Sequence, residues 1–144
     1  MYTVGVREAV QIKKSLRGRG FSKDAAAVTV SIALEGDELD HEGSVIDRTL
    51  MTERLHEVLA ELEGHSGDIP AFEGKAPTPE MLVRYLHRKL SRRLPLVARS
   101  PIISGRTLTV ALEEPGHYMA SYRAVVRNDE SIRPESPDTG SPQA

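Results

Sequence analysis

The order of signals along the chain predicts an α+β fold: a four-stranded antiparallel sheet with two helices on one face, in the order ββααββ. Three observations carry this. Val28, Val30, Ile32 and Leu34 alternate with Thr29, Ser31, Ala33 and Glu35. An apolar face set against a small, polar one suits a half-buried antiparallel strand and not the solidly apolar strands of a parallel sheet. Between Leu50 and Leu90 the period changes to that of two amphipathic helices. Strand-like alternation then returns in two stretches separated by Pro115-Gly116. Two helices can cover one face of such a sheet. The outer strands remain as exposed edges, which predicts oligomers joined edge to edge into a barrel, as trimers or hexamers.

Each element has its own signal. Residues 2–12 alternate loosely and suit the first strand. Arg17-Gly18-Arg19-Gly20-Phe21 breaks the pattern and is expected to be a flexible turn. The run from Val28 is the second strand, followed by a polar loop from Gly36 to Gly43 and a short extended Ser44-Val45-Ile46-Asp47. Leu50, Met51, Leu55, Val58, Leu59 and Leu62 recur at helical spacing, with Thr49 or Asp47 as cap and Gly64 as stop. A loop runs from His65 to Pro77. The second helix has Thr78 as N-cap, Pro79 in its first position and Glu80 near the positive end of its dipole. Its apolar stripe reads Met81, Leu82, Tyr85, Leu86 and Leu90; the opposite face carries Arg84, His87, Arg88, Lys89, Arg92 and Arg93. Thr107–Glu114 and Tyr118–Val126 are the last two strands. Beyond Arg127 the chain is rich in Pro, Ser, Asp and Glu and carries one isolated Ile132, too little apolar area to offset ordering entropy. The domain is therefore expected over residues 1–127, with 128–144 a disordered tail.

Composition narrows the function. With 144 residues there is enough chain for one core. Aromatics are 4% and Trp is absent, so that core must be aliphatic. Nineteen basic against 21 acidic residues give a formal charge of −2, which offers no broad attraction to nucleic acid or anionic membrane. The basic side of the second helix lacks interleaved aromatics and reads as a solvated face. Zero cysteines exclude disulfides, thiolate zinc sites and a cysteine nucleophile. No apolar run approaches the roughly 20 residues of a membrane span. Met1-Tyr2-Thr3-Val4-Gly5 lacks the basic-then-apolar order of a signal peptide, so the expected setting is the cytoplasm.

Two phrases in this order of elements, with a third at the end of the third strand, resemble the 6-pyruvoyl-tetrahydropterin synthase and 6-carboxytetrahydropterin synthase family, which has the tunnelling fold. Gly43-Ser44-Val45-Ile46-Asp47 resembles the family's G-x-V-I-D-F. Ala76-Pro77-Thr78-Pro79-Glu80 resembles its N-P-T-x-E. Val110-Ala111-Leu112-Glu113-Glu114 is similar to the V-x-V-x-E-T strand that ends in a pterin-anchoring glutamate. The resemblance runs from about residue 2 to residue 125.

The resemblance also implies a catalytic zinc held by three histidines, and here the chain departs. The H-G-H positions fall on Asp24-Ala25-Ala26, the first-strand ligand near Val10 or Gln11, and the synthases' basic cysteine near Gly20. None of His41, His56, His65, His87 and His117 lies in those regions. One carboxylate and two alanines cannot replace three imidazoles, so no metal or other cofactor is expected. Without that Lewis acid the family's own reaction on dihydroneopterin triphosphate should fall by several decades.

What the resemblance leaves is a set of candidate side chains. Glu114 falls on the anchoring position, where a carboxylate accepts two hydrogen bonds from an amino-pyrimidinone edge; the alternative is that Glu113 and Glu114 begin a solvated hairpin. His65 lies one position from the family's loop histidine, with Glu63 where its aspartate would be and Asp68 nearby, a pairing suited to general acid–base work near neutral pH. Asp24, in the old metal position, is a further acid–base candidate. Thr78 and Glu80 lie in the turn that approaches the pterin in relatives, though helix capping accounts for both. His41, His56 and His87 read as solvated, and Arg17 and Arg19 as turn residues.

Two functions follow as expectations. The first is a zinc-independent enzyme that grips a flat nitrogen heterocycle or aromatic amine at a subunit interface. Its acid–base chemistry would be a lyase step or a condensation and cyclisation of the Pictet–Spengler type. The second is a non-catalytic binding or partner subunit that kept the fold.

Overall fold

The alternating run at Val28 becomes a central strand because both its neighbours bury the same face. In a computed structural model, which describes residues 1–21, 27–39, 41–64, 69–94 and 106–126, four strands form one antiparallel sheet in the order β1-β2-β3-β4. They are β1 (Tyr2–Val10), β2 (Val28–Gly36), β3 (Arg106–Glu114) and β4 (Tyr118–Val126). Helices α1 (Arg48–Gly64) and α2 (Pro79–Arg93) lie between β2 and β3 in the chain. Val30 pairs with Leu112, Ile32 with Val110 and Leu34 with Leu108, and all six side chains are buried. On the edge strands the same face is covered less well: Val4, Val6, Ala120 and Tyr122 are only partly buried.

The helices begin where short polar side chains satisfy their free N–H groups. For α1 the cap is Asp47, whose Oδ1 accepts from Thr49 N at 2.9 Å and Leu50 N at 3.4 Å. For α2 it is Thr78, whose Oγ1 accepts from Met81 N at 3.2 Å, with Pro79 following. Met51, Leu55, Val58, Leu59 and Leu62 bury the inner stripe of α1. Its outer face ties to α2 through Glu61, which holds Arg93 at 2.7 Å and Lys89 at 3.2 Å. These two cations therefore pull the Glu61 carboxyl below its ordinary range.

Several expectations shift. β1 ends at Val10 because a 3-10 turn, Lys14–Leu16, folds the chain back and buries Ile12 and Leu16 under the sheet. Ser44–Asp47 forms no strand; Val45 and Ile46 are buried individually, and the Arg106 side chain donates to the Val45 carbonyl. A second 3-10 turn, Pro70–Phe72, sets Phe72 against Tyr85 with ring centres 5.2 Å apart. The buried stripe of α2 is Leu82, Val83, Leu86, His87 and Leu90, while Met81 is 43% exposed. The helix is thus rotated from the expected stripe because it lies across β3 and β4, and Tyr122 of β4 receives the turn that carries His87. The expected tail at 128–144 lies outside the described residues.

His87 overturns its reading as a solvated side chain. It is 6% exposed, its Nε2 donates to the Leu108 carbonyl at 3.0 Å, and its ring meets Tyr122 edge-on at 4.9 Å. Burial disfavours the imidazolium and lowers its pKa below the ordinary 6.5. The unfolded chain therefore takes up a proton first as pH falls. The stability that the neutral ring contributes is whole above pH 6.5 and drains away below it. His56 shifts upward, chiefly through its 2.8 Å hydrogen bond to Glu8, but it stands in solvent where such pairs add little. Urea midpoints are expected to fall between pH 7.5 and pH 5, more steeply in the wild type than in His87→Gln. Identical slopes for both proteins would contradict this. Thr78→Ala should cost about 1 kcal/mol in the same assay through loss of the cap.

Candidate functional site

Strand register gathers the chemistry at one end of the sandwich. Val10 at the end of β1 pairs with Val28 at the start of β2, and Thr29 pairs with Glu113 near the end of β3. Neighbouring strands lie about 4.8 Å apart, so the ends of β1 and β3 are roughly 10 Å from each other. The last turn of α1 reaches the same place: Glu63 Oε2 accepts from Gln11 N at 3.2 Å. So does the start of α2, because Gly18 N donates to the Pro77 carbonyl at 2.9 Å.

The two adjacent glutamates part company by alternation. Glu113 is exposed on the face away from the helices, beside Thr29 and opposite Met119. Glu114 turns under the helices in line with Leu108, Val110 and Leu112, and is 5% exposed. It does not begin a solvated hairpin. Its carbonyl accepts from His117 N at 2.9 Å, closing a turn in which Gly116 has a φ of 81°. That turn sets Tyr118 opposite Glu114 in the ladder. The Tyr118 hydroxyl is buried without a hydrogen-bond partner among the described residues, and its pKa rises well above the ordinary value. Burial is the main cause, followed by the negative charge of Glu114, with Arg17 opposing. The phenol therefore stays protonated.

The segment 17–21 is a packed strap rather than a flexible turn. Leu16 anchors it in the core. A Cβ at Gly18 would come within 2.4 Å of the Ala76 carbonyl and 2.5 Å of the Pro77 carbonyl, so only glycine allows this approach. Gly20, where the family's cysteine maps, has a φ of 101° and lies against Pro79. Phe21 then meets the Tyr118 ring edge-on, with centroids 5.7 Å apart.

Of the side chains proposed from sequence, Glu114 and Glu63 stand at this end, and Thr78 and Glu80 open the helix beside it. Thr78 spends its oxygen on the cap, and Glu80 is exposed. Asp24, His65 and Asp68 lie outside the described residues. Tyr118 and Arg17 were not foreseen as site residues. A signal existed for Tyr118: a Pro115-Gly116 turn places residues 114 and 118 across a hairpin.

A family model described as 6-pyruvoyl tetrahydropterin synthase matches residues 25–124. The chain belongs to this family. Among solved structures, the 6-pyruvoyl tetrahydropterin synthase of Caenorhabditis elegans is similar to it with a TM-score of 0.58 at 14% identity. The match covers 85% of this chain and 95% of that one. At that identity the likeness shows the fold, a tunnelling-fold sheet with two helices. A search of curated proteins finds no match.

The zinc site implied by the family does not fit these residues. Val10 is buried among apolar side chains and Gln11 points its backbone N–H at Glu63. Positions 25 and 26 are alanines, with no donor atom. His56 engages Glu8, His87 engages Leu108, His41 stands exposed in a loop, and His117 belongs to the hairpin turn. Among the described residues no group of three His, Cys, Asp or Glu could hold a metal ion. No helix there is long and apolar enough to cross a membrane.

The different surroundings of the paired glutamates give a direct test. Glu114→Ala strips a buried charge from its partners and should cost about 3 kcal/mol in urea denaturation. Glu113→Ala should stay within about 0.5 kcal/mol of the wild type. Equal losses would mean that both carboxylates are solvated.

Proposed function

We propose that this member of the 6-pyruvoyl tetrahydropterin synthase family is a zinc-independent enzyme that binds a flat nitrogen heterocycle or an aromatic amine through Glu114. The observation that carries the reading is the burial of Glu114 at the strand end where the family's anchoring glutamate maps. A buried carboxylate discriminates by chemistry. A ring with two adjacent N–H donors satisfies both of its oxygens, and any other ring leaves one of them unmet.

Proton transfer falls to His65, with Glu63 or Asp24 orienting or assisting it. A neutral imidazole takes a proton from the bound substrate, and a carboxylate beside it stabilises the imidazolium; the same proton then returns to the leaving or product atom. Such a pair suffices for a lyase step, or for an amine–aldehyde condensation in which water leaves the carbinolamine and a ring carbon closes onto the iminium with loss of its proton. Thr78 and Glu80, at the start of α2, border the ligand. The working unit is a homo-oligomer, a trimer or hexamer, formed through the β1 and β4 edges and placing a second subunit beside Glu114. The alanines at 25 and 26 and the glycine at 20 favour a second reading, a ligand-binding subunit without catalysis.

The test is thermal. A panel of pterins and aromatic amines, each at about 100 times its dissociation constant, should stabilise the protein by roughly 2.7 kcal/mol. That corresponds to a rise of about 10 °C for a chain of this size. Glu114→Gln should abolish the rise. His65→Ala should keep binding and lose turnover if the protein is an enzyme; a binding subunit would show no turnover in either form. Elemental analysis should find zinc far below one per chain, and a stoichiometric amount would overturn the zinc-independent reading.

A further inference from the structure

We infer that the 17–21 strap is a built-in competitor for the ligand: the Arg17 guanidinium takes up the Glu114 carboxylate, and a ligand binds by displacing it. This rests on the reading of Glu114 as the heterocycle anchor. The strap is held at three points. Leu16 sits in the core, Gly18 is hydrogen-bonded to Pro77 in a space that admits no Cβ, and Phe21 stacks edge-on against Tyr118. Between these points Arg17 is half-buried, with its Nε out of solvent. Its positive charge acts on the same Tyr118 hydroxyl as the negative charge of Glu114, with the opposite sign.

A guanidinium and a carboxylate buried against one hydroxyl compensate each other, since either alone would cost several kcal/mol. The chemistry of the competition is one of shape. A guanidinium offers a carboxylate two parallel N–H groups in a plane. The edge of a 2-amino-4-oxo ring offers the same pair, a ring N–H and an amino N–H on one carbon. One carboxylate cannot serve both forks. The closed arrangement is therefore self-satisfied, and apparent affinity is lowered by the fraction of molecules in which the strap has lifted.

The experiment uses pterin (2-amino-4-oxopteridine), followed by its fluorescence, and methylguanidinium as a stand-in for the arginine head. Arg17→Ala is expected to bind pterin at least about ten-fold more tightly than the wild type. Methylguanidinium should compete for that binding, and should raise the melting temperature of Arg17→Ala but not of the wild type. Gly18→Ala removes no side chain from the site but unseats the strap, so its affinity should rise in the same direction by a smaller factor. Unchanged or weaker pterin binding in these variants overturns the competitor. Should Arg17→Ala fail to fold, the affinity of Gly18→Ala decides alone. Should no form of the protein bind pterin, the heterocycle reading falls. Methylguanidinium then still decides the contact: selective stabilisation of Arg17→Ala supports it, and no stabilisation overturns it.

Discussion

One acid at the end of β3 constrains everything around it. Glu114 occupies a position that strand alternation assigns to the core, in line with three aliphatic side chains. Water cannot solvate it there, so the fold must supply polar company or keep the site closed until a ligand does. The hairpin supplies Tyr118 directly across the ladder, and the strap brings Phe21 against its ring and the charge of Arg17 to bear on its hydroxyl. The glycines at 18 and 20 let the strap approach α2 closely enough to do this. Local backbone chemistry and the electrostatics of the site are thus one problem with one solution.

The histidines illustrate how the same side chain acquires different work from its surroundings. His56 stands in solvent on α1 and is drawn toward its charged form by Glu8. His87, on the inward side of α2, is pressed toward its neutral form and acts as a hydrogen-bonded core residue. Among the described residues, neither is arranged with two others as a metal ligand. A family that uses imidazoles for metal chemistry is represented here by a chain whose described imidazoles serve packing and surface pairing.

Sequence legibility followed the strength of each periodic or capping signal. The alternation of residues 28–35, the Thr78-Pro79-Glu80 start of α2 and the Pro115-Gly116 turn each have one physical interpretation, and the corresponding elements form within a residue or so of expectation. The order of elements and the three phrases also sufficed to identify the family. The rotation of α2 was not legible. Met81 and Val83 are both apolar, and only the position of β4 beneath the helix decides which is buried. The same holds for His87, whose partner is a backbone carbonyl 21 residues away, and for Arg17, whose glycine-flanked setting reads as a loose turn until α2 is seen against it. The place of Glu114 at the end of β3 was legible through its phrase, whereas Tyr118 and the strap reach that end through tertiary placement.

The hairpin between β3 and β4 carries a consequence for how the site comes into being. In a sheet, sliding one strand by a single residue turns every side chain to the opposite side. Such a slip in β3 would carry Glu114 out to water and bring Glu113 inside, but it would also expel Leu108, Val110 and Leu112 from the interior. Three aliphatic residues with no chemistry of their own thereby act as the proofreaders of a carboxylate, and the placement of that acid is inherited from the oiliness of the strand that bears it.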